Sequence, residues 1–381
     1  MNVICNMKQL EDFIIENIKK KGKLTFADFM RMALYHPEYG YYNSDREQTG
    51  RFGDYYTSPT ISEYFGVLIA KQLEEMWKSL GEVNFTVVEM GSNTGWLCYD
   101  IMCFVRKEYP GFYDKFRYVI VESNAYKRKK QEMLLDSINL PTEKVVWHTY
   151  SEDGFSFDGI DGCFLANEFI DALPVHRLKV KKGILKELYV SYNEKGFFEI
   201  EDNLSSHILL EYLETCKCDF KEGQVFEVNL DGVNWLRQVS KKLNRGFVLT
   251  IDYGDTKDRI YYEDNREGTL RCFYKHTVNC DFYKQVGEQD ITASVDFTSL
   301  INIGRSFGLE FTGLTKQSQF LIALGVLEKI NTLENAPNAV LKIKNLIHPE
   351  VMGDVFKVLI QHKNVTNTRL SGLKPLRLVE M

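Results

Sequence analysis

Hydrophobic and polar positions along this chain change period several times, and each change marks an element. Leu10, Phe13, Ile14 and Ile18 recur three or four residues apart, which predicts an amphipathic helix over residues 8–20. Thr25, with Asp28 three residues on, resembles a capping box opening a second helix through Ala33. Pro37 and Gly40 then interrupt the pattern, and residues 53–59 read as a polar, aromatic loop too long for a simple connector. Ser62 stands before a third helical pattern carried by Phe65, Leu68, Ile69, Leu73, Met76 and Trp77.

From residue 85 the pattern becomes a series of short apolar runs separated by helical stretches. Runs at 85–90, 118–121, 145–147, 162–166 and 247–251 predict five strands of an α/β sheet, the fourth buried on both faces. Residues 175–200 alternate instead, with turn signals at Lys182-Gly183 and between Asn193 and Gly196, so antiparallel strands are inserted there. Residues 203–224 read as helix and connection, and residues 255–267 as a polar, Tyr-rich mobile loop. Asp296 is placed to cap a helix through Phe307, and residues 309–312 predict a late strand. Residues 317–330 are ambiguous. The tail from Lys342 onward, including residues 352–359, reads as one more packed helix. The expected organisation is a helical cap and covering loop (1–80), a first half of the core (81–175), an inserted segment (176–224), a second half of the core with substrate loops (225–330) and a C-terminal helical tail (331–381).

Candidate chemistry sits at the strand ends. The run at 85–90 carries Glu89 and is followed by Gly91, Ser92, Asn93, Thr94 and Gly95, after which a helical pattern starts at Trp96. Strand, glycine turn and helix let backbone N–H groups and a helix N-terminus approach a ligand. The spacing departs from the G-x-G-x-x-G of dinucleotide enzymes, and no hydride-handling constellation accompanies it. It lies closer to the E-x-G-x-G-x-G turn of S-adenosylmethionine (SAM) enzymes, with Asn93 in the middle position. Asn tolerates positive φ better than other non-glycine residues. An ordinary βα turn remains the alternative, because a lone glycine turn is a weak signal. Glu122 ends the next strand, where an acid commonly takes both ribose hydroxyls of an adenosine ligand. Past the fourth strand stand Asn167, Glu168 and Asp171, either at the ligand edge of the sheet or capping a following helix.

Composition changes this picture little. A net charge of −6 argues against nonspecific nucleic-acid binding. Eight cysteines without a C-x-x-C pair read as reduced thiols rather than a zinc site. No apolar run reaches membrane-spanning length, and residues 1–8 show neither a signal-peptide core nor an Arg-rich presequence. A cytoplasmic protein without membrane insertion is the expectation.

Several stretches together resemble one family. They are Phe29, the run from Tyr35 to Tyr42, Gly53-Asp54 with Thr57-Ser58-Pro59, Glu89-Met90-Gly91, the run from Ala166 to Pro174, Ile251-Asp252-Tyr253-Gly254, Gly268 to Arg271, Gly287-Glu288 with the run from Asp290 to Ala293, Gln319-Phe320-Leu321 and Phe356-Lys357-Val358. The chain resembles, over nearly its whole length, the MidA-like SAM-dependent methyltransferases, whose mitochondrial members are complex I assembly factors that methylate an arginine. The resemblance implies a doubly wound, Rossmann-like class I SAM-methyltransferase sheet with an N-terminal helical cap and inserted antiparallel strands. It implies S-adenosyl-L-methionine as cofactor, held by Glu89, Gly91, Asn93, Gly95, Glu122 and Asn167, with Asp54, Thr57 and Ser58 closing over it. Glu168 and Asp171 are the expected catalytic carboxylates, with Glu288 and Asp290 meeting a protein substrate; a homodimer is left open. The family's turn usually reads Gly-Pro-Gly-x-Gly, and Glu, Gln and His usually stand where this chain has Thr60, Glu63 and Ser294. A non-catalytic assembly or binding factor on a decayed methyltransferase core is the rival reading, and Asn93 is its support.

Overall fold

The computed structural model describes residues 2–44 (side chains from Lys8), 48–50, 53–151, 154–218, 220–262, 266–333 and 336–375. The chain forms two compact units, each assembled from three separated stretches. One takes residues 1–55, 170–234 and 254–303, and the other residues 56–169, 235–253 and 304–381. The division cuts the first 80 residues between Tyr55 and Tyr56, so they do not form a single segment.

The larger unit is built on seven strands of an eight-stranded sheet. Its strands are β1 (Phe85–Met90), β2 (Phe116–Val121), β3 (Val145–His148), β4 (Ile160–Asn167), β5 (Leu243–Asp255), β6 (Glu310–Lys316) and β7 (Phe356–Lys363). Their order across the sheet is β6-β7-β5-β4-β1-β2-β3. Pairing is parallel from β5 through β3, while β7 runs antiparallel to both β5 and β6. Apolar residues cover both faces of the central strands, which is why β1 and β4 read as near-continuous apolar runs. The order reverses between β1 and β4, leaving a crevice at their carboxyl ends, the place where open α/β sheets bind ligands.

The helix Glu63–Ser79 belongs to this unit and not to a separate cap. It packs on the helix Trp96–Glu108, burying Phe65, Leu68, Ile69, Leu73 and Met76 in the same cluster as Leu97, Ile101 and Val105. Ser62 caps it, as expected, by accepting from the N–H of Tyr64 at 3.4 Å.

Of the tail expected to be helical from Lys342 onward, Pro337–Ile347 and the short turn Pro349–Gly353 are helical, and the residues from Phe356 on are not. Phe356–Lys363 is strand β7, lying between β5 and β6. Met352, Val355, Phe356 and Leu359 fall at i, i+3, i+4 and i+7, which mimics a helical stripe. Phe356 to His362 are all buried, because the strand is central and covered on both faces, so no period of two survives. The ambiguous residues 317–330 resolve as two short helices, Gln317–Ala323 and Val326–Asn331.

The smaller unit holds the inserted strands. His176–Lys181, Ile184–Asn193 and Gly196–Asp202 form the expected antiparallel meander, extended by Val225–Val228 beyond the anticipated boundary at 224. Lys182 and Gly183 both take positive φ in the first turn. The helices Asn2–Lys21 and Phe26–Tyr35 bury Leu10, Ile14, Ile18, Phe26, Phe29 and Met30 in the same cluster as Val190 and Ile291. Thr25 caps the second helix by accepting from the N–H of Asp28 at 3.0 Å. Within the polar stretch 255–267, Lys257–Ile260 is a short helix; residues 263–265 lie outside the described ones.

Candidate active site

The glycine turn after β1 is braced from inside the sheet. Glu89 is 3% exposed, and its Oε2 accepts from the Ser92 hydroxyl at 2.7 Å and the Tyr118 hydroxyl at 2.9 Å. Burial pushes its carboxyl up to about 7, against the pull of those two donors. Glu89 therefore serves the crevice by holding the turn in shape. Gly91 takes φ +63°, donates its N–H to the Val121 carbonyl at 3.2 Å, and would bring a Cβ to 3.3 Å of Phe169. Asn93 takes φ +46°, so asparagine holds the left-handed position the sequence required of it. Gly95, at φ +82°, is the N-cap of the helix Trp96–Glu108 and supplies no capping side chain.

Glu122 lies beyond the end of β2. Its Oε1 accepts from the N–H of Asn124 at 2.9 Å, and its Oε2 from Nε2 of Gln131 at 3.4 Å. Gln131 is fully buried, and the same Nε2 donates to the Asn93 carbonyl at 2.9 Å. Sequence reasoning missed Gln131 because its helix, Ala125–Asp136, is rich in Lys and Arg and shows almost no apolar stripe. Asn124 is the N-cap of that helix, accepting from the N–H groups of Tyr126 and Lys127.

On the other side of the crevice, β4 ends at Asn167 and no helix follows directly, so Glu168 and Asp171 cap nothing there. Glu168 takes φ +50°, an unusual conformation for a glutamate at a strand end. Its Oε1 accepts from the backbone N–H of Ser58 at 2.9 Å and from Nδ2 of Asn167 at 3.3 Å. Burial raises its carboxyl to about 8, those donors pull it down, and the neighbouring Asp252 adds to the rise. Asp252 is itself buried and holds the backbone N–H groups of Phe169 and Tyr253. The Oδ1 of Asn167 is buried without a hydrogen-bond partner among the described residues. Thr57 precedes the short helix Ser58–Ile61 and donates its N–H to the Thr60 hydroxyl. The Ser58 hydroxyl is buried and donates to Oε1 of Gln317 at 3.3 Å.

The remaining expected residues lie in the smaller unit. Asp54 is 4% exposed, and its carboxylate accepts from the Tyr41 hydroxyl at 2.8 Å and the Lys275 N–H at 2.7 Å. Asp290 is buried and accepts from the Tyr42 hydroxyl at 2.7 Å. Asp171 is buried, with its carbonyl on the N–H of Ala293 at 2.9 Å. Glu288 is partly exposed.

A family model described as S-adenosyl-L-methionine-dependent methyltransferase matches residues 68–315, well over half of the chain. The chain belongs to this methyltransferase family. Its relatives include the mitochondrial protein arginine methyltransferase NDUFAF7 of Xenopus laevis, 27% identical over 96% of this chain and 88% of that protein. The mitochondrial NDUFAF7 of Homo sapiens is 25% identical over 93% of this chain and 84% of that protein. A methyl transferase from Burkholderia thailandensis, crystallised with S-adenosyl-homocysteine, superposes with a TM-score of 0.87 at 25% identity, covering 97% of this chain and 96% of that one. The fold is thus that of a Rossmann-like methyltransferase, with S-adenosyl-L-methionine as the family's cofactor. The expectation of a cytoplasmic protein is corrected, because the named relatives are mitochondrial proteins. The residues described above suit such a cofactor: a turn with positive φ at Gly91, Asn93 and Gly95, a helix N-terminus, an acid beyond β2 and an amide oxygen left open at the end of β4.

Proposed function

We propose that this chain transfers a methyl group to a protein nitrogen, an arginine guanidinium, with Glu168 receiving that group. The observation that carries the reading is the placement of Glu168: a carboxylate in a left-handed residue at the tip of β4, held by Ser58 and Asn167 and pushed up to about 8 by burial. A buried carboxyl whose anion is disfavoured by burial is stabilised in its charged form by a cation, and a guanidinium presents a planar fork of donors that matches it. The relatives named as protein arginine methyltransferases support the same acceptor, and their mitochondrial address supports the same compartment for this chain.

When bound, S-adenosyl-L-methionine supplies an electrophilic methyl group on a sulfonium. Glu122 takes the ribose hydroxyls, the amides from Gly91 to Gly95 line the turn, and Asn167 offers Oδ1 to a donor on the cofactor. Glu168 neutralises the guanidinium and fixes its plane, so the main contribution of these residues is alignment. Glu288, the partly exposed acid of the smaller unit, is the proposed contact for the protein substrate. Retention of positive φ at Asn93 supports a working turn over a decayed one.

The test is labelling. Total mitochondrial protein is incubated with methyl-labelled SAM and purified enzyme, with Gly91→Val as the blank, and hydrolysed to amino acids. Label in methylarginine is expected. Label confined to another residue refutes the acceptor, and no label from a protein that binds S-adenosyl-homocysteine favours the assembly-factor reading.

A further inference from the structure

Gln131 is a fully buried amide on a helix that is otherwise rich in Lys and Arg. Burying a glutamine is costly unless its donors and acceptor are used. Its bonds go to the glycine turn, to the acid beyond β2 and to β3. Nε2 donates to the Asn93 carbonyl at 2.9 Å and reaches Oε2 of Glu122 at 3.4 Å. Oε1 accepts from the indole N–H of Trp147, on β3, at 3.0 Å. A Cβ on Gly95 would lie 3.1 Å from Cγ of Gln131, so the aliphatic part of this side chain rests on the last residue of the turn.

These contacts give Gln131 a definite task. Asn93 stands where family members usually have glycine, and its left-handed backbone is less favourable than a glycine's. A hydrogen bond to its carbonyl holds that peptide plane. Glu122 carries two oxygens that must point the same way to take two vicinal hydroxyls, and a flexible glutamate alone does not do so. The Asn124 N–H fixes one oxygen and Gln131 the other. Trp147 in turn fixes which end of the Gln131 amide faces the crevice, because an indole N–H only donates.

We propose that Gln131 is the positioning residue of the cofactor crevice, locking the Asn93 peptide and the Glu122 carboxylate in one register. It acts through those two groups and touches no reacting atom. The inference rests on the assignment of Glu122 to the ribose hydroxyls.

The experiment is a binding cycle with S-adenosyl-homocysteine and adenosine as probes, read by calorimetry beside thermal melting. Gln131→Glu keeps the shape and the acceptor for Trp147 while losing the donor; Gln131→Leu removes all polar contacts. Both are expected to weaken both probes at least tenfold, with melting of the Glu variant close to that of the parent. In a Glu122→Ala background, Gln131→Glu is expected to cost clearly less than it does alone, because its main client is gone. Parental affinity in Gln131→Glu overturns the proposal, as does a loss that multiplies fully with that of Glu122→Ala. If Glu122→Ala by itself leaves adenosine binding unchanged, the ribose assignment fails instead. Should Gln131→Leu not fold, the Glu variant decides alone.

Discussion

Ser58 donates its backbone N–H to Oε1 of Glu168 across 2.9 Å, although 110 residues separate the two in sequence. The bond fastens the loop before the helix Glu63–Ser79 to the tip of β4. It also satisfies one oxygen of a carboxylate whose own backbone is left-handed. A side chain anchored in this way points in one direction, which is what an acceptor-binding group needs.

Glu168→Gln keeps this bond and removes the charge. Methyl transfer to an arginine acceptor is expected to fall by a factor of about ten to a hundred if the charged contact strengthens in the transition state. Affinity for S-adenosyl-homocysteine is expected to hold. Unchanged turnover sinks the role given to Glu168, and weakened cofactor binding reassigns it to the cofactor.

Gly91→Val places a β-branched residue at φ +63° with its Cβ against Phe169. The strain at such a position is on the order of 1–3 kcal/mol, and the added methyl groups intrude where a ligand meets the turn. Calorimetric heat of S-adenosyl-homocysteine binding is expected to vanish while the far-ultraviolet circular dichroism remains. Retained affinity would put the cofactor elsewhere.

Glu122→Ala removes a carboxylate expected to take two charge-assisted hydrogen bonds, each worth about 1.5–3 kcal/mol. The dissociation constant of S-adenosyl-homocysteine should rise by about tenfold or more. Adenosine, which carries the same ribose, should lose a similar factor; if only the larger ligand is affected, the acid does not read the ribose.

Glu89 supplies a pH signature. Burial raises its carboxyl from 4.5 to about 7, so between those values the folded chain keeps a proton that the unfolded chain has released. Stability due to this group is present below about pH 4.5 and is lost as pH rises through 7, a change of about 3 kcal/mol at most. The melting temperature of Glu89→Gln relative to the parent should therefore climb across this window and level off above it. A difference independent of pH would show that Ser92 and Tyr118 keep the carboxyl ionised throughout.

Leu359 and Ile360 are adjacent in β7 and both fully buried. Neighbours in a strand face opposite sides of the sheet, so each alanine replacement should cost about 2–5 kcal/mol in chemical denaturation. In an amphipathic surface helix, one of two such neighbours is usually cheaper to replace. A silent substitution at either position would mean that one face of β7 is uncovered.

The sequence by itself determined the sheet-forming runs, the glycine turn and the acids at the strand tips, because these depend on local periodicity and on φ preferences. The inserted meander and the caps at Thr25 and Ser62 were legible for the same reason. Only the tertiary structure decided that residues 356–363 are a strand, since burial on both faces erases the period of two. It alone turned the Ser58 hydroxyl and the Asp54 carboxylate inward, and it alone drew Gln131 out of a charged helix into the crevice. Each of these depends on a partner tens to hundreds of residues away, and a hydrogen bond at that separation leaves no spacing in the chain to read.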